Sequence, residues 1–204
     1  SLDVQAIEPV GGGDAVAEIT MANSGLVRRD LLDLRAGREA LLKFTTRDLL
    51  DITTAAGDIF LNDELPVGAG GDMQSPDDYL QSLAATSGLP HALIRMNMKR
   101  LHGVFSQVPT IFKGLSRGLD PSVLDSGYSV QSGVRVSFVP TTDALGVILP
   151  SNSPAVNALW IPSIAMKIPV LLKPGREEPW TPWRVIQAFI KAGAPEEAFS
   201  FYPA

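Results

Sequence analysis

Apolar and polar positions change their spacing along the chain, and the last third shows the clearest pattern. Apolar runs of strand length cover residues 144–149, 168–172 and 198–202, and two helical patterns separate them. Strands that alternate with helices in this way predict a βαβαβ unit with a buried parallel sheet. Such a unit is half of a nucleotide-binding fold, which binds its ligand where the carboxyl ends of the strands meet.

Helical spacing dominates the earlier part of the chain. Apolar positions recur at helical intervals over residues 24–60, with a break near Thr45–Thr46. The glycine-rich stretches 11–13 and 68–71 lack the spacing of a phosphate-binding loop. They therefore predict plain loops between the apolar segments.

Two further helices are predicted after these segments. Ser75, followed by Pro76 and two acids, has the pattern of a capped helix start. The next helix should run from Leu89 to about Gln107. Pro109 removes a backbone donor, so we expect it to break or kink that helix.

Residues 127–140 alternate apolar and polar side chains, which predicts a half-exposed strand or hairpin. Together with the other patterns, this order predicts an α/β fold with a helical N-terminal layer on an incomplete, Rossmann-like parallel sheet. We divide the chain accordingly. Residues 1–126 form the N-terminal helical layer of a cofactor-binding domain, residues 127–142 a strand arm, and residues 143–204 the βαβαβ half.

The turns after the first two predicted strands carry the candidate chemistry. The first reads Pro150-Ser151-Asn152-Ser153-Pro154, and any of its three polar side chains is suited to cap the helix that follows. The second strand ends in Leu172-Lys173-Pro174-Gly175-Arg176, a cationic turn at the same edge. Beyond it, Thr181 should cap the second helix, with Pro182 starting it and Gly193 closing it.

These two turns resemble those of the aldehyde dehydrogenase superfamily, whose first nucleotide-binding strand runs into a Pro-x-Asn-x-Pro turn and whose second ends in Leu-Lys-Pro. The resemblance extends to Trp160, to Lys191-Ala192-Gly193-Ala194-Pro195 and to Phe201-Tyr202-Pro203. It covers roughly the last 60 residues. It implies a fold of the aldehyde dehydrogenase type whose β-strand arm pairs with a neighbouring subunit, and hence a homo-oligomer.

The resemblance also implies a function, the NAD(P)-dependent oxidation of a small-molecule aldehyde or acyl substrate. It implies that Asn152 donates its side-chain amide to the oxyanion formed when a cysteine thiolate attacks the carbonyl. It implies that Lys173 binds the adenosine ribose of NAD or NADP. The residues expected to contact the cofactor are Ile148, Leu149, Pro150, Ser151, Lys173, Pro174, Gly175 and Arg176.

Arg176 departs from the common family pattern, which has a Glu three residues after the Lys. A guanidinium cannot accept hydrogen bonds from ribose hydroxyls, but it pairs well with a phosphate. We therefore expect NADP to be tolerated at least as well as NAD. A one-residue shift of the loop would instead let Glu177 or Glu178 replace the missing glutamate.

The sequence contains no cysteine. In the resembled family the catalytic cysteine and the general base lie beyond the portion that this chain matches. We therefore expect an N-terminal portion of such an enzyme, inactive by itself. Two alternatives stay open: an acyl-CoA-linked reductase of the same superfamily, and a non-catalytic nucleotide-binding or assembly module.

Composition narrows the choice of partners. The net charge of -5 argues against nucleic acid and anionic membranes, since both attract a cationic surface. No run of about 18 apolar residues is present, and we expect a cytoplasmic protein.

His91 and His102 would lie three turns apart on one helix, too far to share a metal ion, so we expect no metal site.

Overall fold

The computed structural model describes residues 3–31, 34–68 and 70–204. Ser1, Leu2, Leu32, Asp33 and Ala69 lie outside the described residues. The α-helices, in chain order, are α1 (Ser24–Leu31), α2 (Leu34–Leu42), α3 (Thr46–Asn62), α4 (Pro76–Ser87), α5 (His91–Leu115), α6 (Val123–Ser126), α7 (Ile161–Ala165) and α8 (Trp180–Lys191). The strands are β1 (Val4–Ile7), β2 (Ala17–Thr20), β3 (Leu65–Val67), β4 (Asp72–Gln74), β5 (Ser129–Gln131), β6 (Val134–Val136), β7 (Leu145–Ile148), β8 (Val170–Lys173) and β9 (Phe199–Phe201).

The predicted βαβαβ unit is confirmed. Strands β7, β8 and β9 form a parallel sheet in sequential order. Leu145 lies opposite Val170, and Val170 lies opposite Phe199, so the three strands begin at the same level. Their carboxyl ends therefore meet at one edge, as the strand order predicted.

The two helical connections between the parallel strands differ, since only the second is a single regular α-helix. The first consists of a 3-10 helix, Pro154–Leu159, followed by the short α7, in which Pro162 occupies the first turn. Pro162 is well placed there, because the first turn of a helix does not need the backbone N–H that proline lacks. The second crossover is α8, which begins at Trp180 and not, as expected, at Pro182. Thr181 is thus inside the helix and cannot be its cap.

The helical layer and the sheet share one hydrophobic core. Helices α3 and α5 cross closely at Gly57, where an added β-carbon would lie 2.6 Å from Cβ of Phe105. Phe105 in turn packs 5.4 Å from Phe189 of α8, and Phe189 packs 6.2 Å from Trp160, measured between ring centroids. These three rings are fully buried, and their packing links the N-terminal layer to the helices that connect the parallel strands.

Several local expectations in the first part of the chain are confirmed. The break near Thr45–Thr46 is the N-terminus of α3, where Thr45 and Asp48 form a capping box. Ser75 and Asp78 form a second capping box at α4, with Pro76 in its first turn. In both boxes a hydroxyl and a carboxylate accept hydrogen bonds from backbone N–H groups that the helix leaves unpaired.

Two other expectations differ from the structure in part. Pro109 does not break α5, which continues through it to Leu115. Pro109 is on the exposed side, where water can replace the missing hydrogen bond, while Val108 and Phe112 stay buried in the core. The N-terminal layer also contains two antiparallel strand pairs, β1–β2 and β3–β4, in addition to its helices.

One face of the parallel sheet is covered and the other is open. Val170 and Leu172 are buried against the helices. On the opposite face Ile148 is 82% exposed, with Lys173 beside it in register.

The segment with alternating apolar and polar residues forms a separate antiparallel hairpin, β5–β6. Within the described part of the chain, no helix combines the length and hydropathy that a membrane crossing requires.

Candidate functional site

The candidate site is the edge where β7 and β8 end. Ile148 and Lys173 are the last residues of their strands and lie opposite each other. The backbone N–H of Leu149 then donates to the carbonyl oxygen of Lys173 at 2.9 Å. The structure thus brings together the two turns that carry the predicted residues. The side chains of Leu149 and Pro174 point into buried surroundings, whereas Ile148 and Pro150 are exposed.

The turn after β7 carries Asn152, whose side chain is exposed. Asn152 makes no hydrogen bond to any residue that the structure describes. The 3-10 helix that follows has Ser153 at its N-cap position without a side-chain hydrogen bond. None of the three polar side chains makes a capping hydrogen bond to this helix within the described structure. A 3-10 helix that starts with Pro154 already lacks one backbone N–H, and this reduces the need for a cap.

The loop after β8, residues 174–179, touches that turn directly. Gly175 is buried, and an added β-carbon would lie 2.6 Å from the carbonyl carbon of Pro150 and from the backbone nitrogen of Ser151. The backbone N–H of Glu177 donates a long hydrogen bond, 3.5 Å, to Oγ of Ser151. The two turns therefore pack against each other, backbone to backbone.

Glu178 is the least expected group at this edge, since its side chain is fully buried. Its Oε1 accepts hydrogen bonds from the backbone N–H of Thr181, at 2.9 Å, and from the Thr181 hydroxyl. It is Glu178, not Thr181, that satisfies the N-terminus of α8. Burial raises the pKa of Glu178 to about 8, against the opposing effect of these two hydrogen bonds. Glu178 is therefore enclosed in the protein interior.

Side chains of helix α4 form hydrogen bonds with the end of the same loop and the start of α8. The hydroxyl of Thr86 donates to the carbonyl oxygen of Glu177 at 2.6 Å and accepts from Nε1 of Trp180 at 3.0 Å. The hydroxyl of Tyr79 lies 2.7 Å from Oγ1 of Thr181. Burial, followed by the nearby charge of Glu178, raises the pKa of Tyr79, so the phenol stays neutral.

A buried arginine of α8 forms hydrogen bonds with three backbone carbonyl groups of neighbouring segments. Arg184 is 1% exposed and donates from Nε to the carbonyl oxygen of Phe60 at 3.0 Å. Its two terminal nitrogens donate to the carbonyl oxygens of Gln74, at 3.0 Å, and Asp63, at 2.6 Å. These bonds tie the helix after the candidate site to the end of α3 and to β4.

The cationic side chains of the edge have different surroundings. Lys173 is half-buried and Arg176 is exposed. With the Gln5 amide oxygen facing the guanidinium, Gln5 accepts hydrogen bonds from Nε and Nη2 of Arg176. Beside them opens a cavity of about 250 Å³, lined among others by Gln5, Met21, Arg176 and Pro203. The N-terminal hairpin thus reaches the candidate site, a contact for which the sequence holds no local signal.

The donor set at this edge suits a phosphorylated nucleotide better than a metal. Two cationic side chains and an amide donate hydrogen bonds to anionic or hydroxyl oxygens. Among the residues that the structure describes, no group of three metal-ligating side chains occurs.

Comparison with known proteins identifies the fold. No family model and no curated protein matches the sequence. Among solved structures, the chain is similar to an NAD-dependent benzaldehyde dehydrogenase from Corynebacterium glutamicum, with a TM-score of 0.75 and 14% identity over 100% of this chain and 40% of that one. The chain has the aldehyde dehydrogenase fold. The fold implied by the two sequence turns is thereby confirmed.

Two further aldehyde dehydrogenase structures agree. A putative methylmalonate-semialdehyde dehydrogenase from Sinorhizobium meliloti, complexed with NAD, matches with a TM-score of 0.72 and 16% identity over 100% of this chain and 38% of that chain. A glyceraldehyde-3-phosphate dehydrogenase from Methanocaldococcus jannaschii, complexed with NADP, matches with a TM-score of 0.67 and 14% identity over 99% and 41%. This chain thus spans about two fifths of the length of these dehydrogenases.

Proposed function

We propose that this chain is the cofactor-binding portion of an NAD(P)-dependent enzyme that oxidises an aldehyde to an acid. The contact between the turns of Asn152 and Lys173 carries the proposal, because it joins an amide donor to a cationic nucleotide edge. The aldehyde dehydrogenase fold of the whole chain supports it. The substrate in this proposal is a small-molecule aldehyde or acyl compound.

In this proposal the residues at the sheet edge have separate roles. Lys173 and Arg176 hold the ribose and phosphate groups of the cofactor, together with the backbone of residues 148–151 and 174–175. The cofactor, when bound, supplies the hydride acceptor. Asn152 donates its side-chain amide to the oxyanion of the substrate, which lowers the energy of the charged transition state.

The proposal assigns binding and positioning to these 204 residues, not the nucleophilic step. A thiolate attack needs a cysteine, and the sequence contains none. We therefore expect purified chain to turn over no aldehyde by itself.

We further propose that the hairpin β5–β6, within the arm of residues 127–142, contributes to a homo-oligomer. Val130 and Val134 on this hairpin are 59% and 62% exposed. Strands with unpaired edges and exposed apolar side chains are usually covered by another chain. In this division of the chain, the arm lies between an N-terminal layer, residues 1–126, and the nucleotide-binding half, residues 143–204.

Nucleotide binding by the 204-residue chain tests the proposed function. We expect saturable binding of NAD or NADP by isothermal titration calorimetry, weakened by about tenfold or more in Lys173→Ala, since a charge-assisted hydrogen bond is lost. Lys99→Ala, which removes an exposed lysine of α5, should leave the affinity unchanged. Absence of binding by the folded chain, or equal affinities for the chain and Lys173→Ala, would show that the proposal is wrong.

A further inference from the structure

Asn152 lies in a turn that gives its side chain little support. The side chain is exposed and has no hydrogen-bond partner among the described residues, and Ser153 does not cap the helix that follows. An amide that stabilises a developing charge has to be held in place before that charge forms. The support for Asn152 must therefore come through its backbone.

The neighbouring loop supplies this support at Gly175. A β-carbon on Gly175 would lie 2.6 Å from three atoms, the carbonyl carbon of Pro150 and the nitrogen and Oγ of Ser151. Gly175 does not have a positive φ, so the requirement for glycine is one of space and not of backbone conformation. The Pro150–Ser151 peptide, one peptide before that of Asn152, thus lies against the backbone of Gly175.

The loop that carries Gly175 is itself fixed by the protein interior. Thr86 of α4 bonds to the carbonyl oxygen of Glu177, and the enclosed carboxyl of Glu178 bonds to Thr181 in the first turn of α8. Glu177 returns a hydrogen bond to Oγ of Ser151. A continuous set of contacts therefore runs from α4 through the loop to the Asn152 turn.

We propose that Gly175 is a positioning residue for Asn152, because the packing of its backbone against the Pro150–Ser151 peptide sets the orientation of the Asn152 amide. The catalytic meaning of this contact rests on the proposed function. The contact itself does not, and it can be tested in the absence of nucleotide and substrate.

The test compares two glycine-to-alanine variants of the 204-residue chain by NMR. In Gly175→Ala the β-carbon displaces the Pro150–Ser151 peptide. We expect a shifted or broadened Asn152 side-chain amide signal, assigned with Asn152→Asp, and lower order parameters for residues 151–153. The backbone amide of Glu177 should exchange roughly tenfold faster or more, because its bond to Ser151 is lost.

Gly146→Ala is the matched control. Gly146 lies in β7, and an added β-carbon there meets no atom within 4 Å. It should leave the Asn152 signals at their wild-type positions. A folded Gly175→Ala chain with unchanged Asn152 signals overturns the proposal, and so does an equal disturbance in Gly146→Ala.

A second variant decides the question if Gly175→Ala does not fold. Ser151→Ala removes the acceptor of the Glu177 N–H without adding volume. We expect the same Asn152 signals to move in this variant, by a smaller amount. Unchanged Asn152 signals in Ser151→Ala would then overturn the proposal. Because the measurement needs no ligand, its result is independent of the Lys173 nucleotide-binding test.

Discussion

The two loops at the carboxyl edge of the sheet are neighbours, yet they are held in opposite ways. The turn after β7 is short and exposed, and its Asn152 has no hydrogen bond to a described residue. The loop after β8 has buried residues at Pro174, Gly175 and Glu178 and is bonded to α4 and α8. The exposed turn is thus packed against a loop that is hydrogen-bonded to the protein interior.

The two loops differ because they leave different numbers of backbone N–H groups in need of a hydrogen-bond acceptor. Pro150 and Pro154 bracket the first turn, so few of its backbone donors need partners. The second loop begins a regular helix, whose first N–H groups need acceptors. Glu178 supplies one acceptor from inside the core, and this requires the loop to be packed tightly. Four predictions test this contrast, from the largest expected effect to the smallest.

The first prediction concerns the helix that the anchored loop leads into. Arg184→Met should lower the free energy of unfolding by about 5 kcal/mol, because three carbonyl oxygens, on two buried residues and one half-buried residue, lose their donors at about 1 to 3 kcal/mol each. Those oxygens belong to Phe60, Asp63 and Gln74. Chemical denaturation measures the change. Arg95→Met, which removes an exposed arginine 3.6 Å from Asp77, is the control and should cost less than about 1 kcal/mol. A similar cost in both variants would contradict the anchoring role.

The second prediction is a pH dependence that Glu178 produces. Its folded-state pKa of about 8 lies above the ordinary value of 4.5. The carboxyl therefore stabilises the fold fully below pH 4.5, and that contribution declines as the pH rises and is lost above about pH 8. The decline should amount to about 4 kcal/mol, measured as the free energy of unfolding between pH 5 and pH 9.

Glu178→Gln should flatten this dependence. A glutamine keeps the oxygen that accepts from Thr181 and cannot ionise. Glu177→Gln, the same change one residue earlier on a half-buried side chain, should keep the wild-type curve. If Glu178→Gln shows the same decline as wild type, the ionisation of Glu178 is not its cause.

The third prediction concerns cofactor choice, and it rests on the proposed function. Arg176 is exposed at the carboxyl edge of the sheet, and with the Gln5 amide oxygen facing it the guanidinium donates to Gln5. We expect the chain to bind NADP at least as tightly as NAD. Arg176→Glu should reduce the ratio of NADP to NAD affinity by about tenfold or more, because a phosphate would then face a carboxylate.

The measurement is titration of both cofactors at matched ionic strength, and Arg117→Glu serves as control. Arg117 is an exposed arginine beyond the end of α5. A strong preference for NAD that Arg176→Glu leaves unchanged would mean that Arg176 does not contact the phosphate.

The fourth prediction is a small effect in the loosely held turn. Asn152→Ala should change the free energy of unfolding by less than about 0.5 kcal/mol, since the side chain is exposed and caps no helix. A true N-cap would cost about 1 kcal/mol on the same substitution. Thermal or chemical denaturation distinguishes the two values. A loss of 1 kcal/mol or more would show that Asn152 supports the turn, contrary to the contrast drawn between the loops.

Much of the architecture was predictable from local patterns. The strand runs ending at Leu149 and Leu172 and the capped starts at Thr45 and Ser75 needed only periodicity and capping chemistry. The turns of Asn152 and Lys173 could be placed at one edge because parallel strands bring their carboxyl ends together.

Other features depended on distant parts of the chain. The passage of α5 through Pro109 depends on which side of the helix faces water. The start of α8 involves the neighbouring Glu178, but the burial of this acid is decided by the folded core, since composition alone would assign it to the surface. Its Oε1 accepts hydrogen bonds from the N–H and the hydroxyl of Thr181, whereas its buried Oε2 has no hydrogen-bond partner among the described residues.

The sequence by itself determined the order of elements, the parallel sheet and the residue types at its edge, since spacing and turn chemistry act over a few residues. Only the tertiary structure decided that Gly175 lies against the Pro150–Ser151 peptide, that Thr86 and Glu178 hold the loop, and that Gln5 meets Arg176. Apart from the bond of Glu178 to Thr181, these contacts join residues 24 to 171 positions apart along the chain. Close packing selects such pairs through shape and hydrogen bonding in three dimensions, for which a one-dimensional pattern carries no signal.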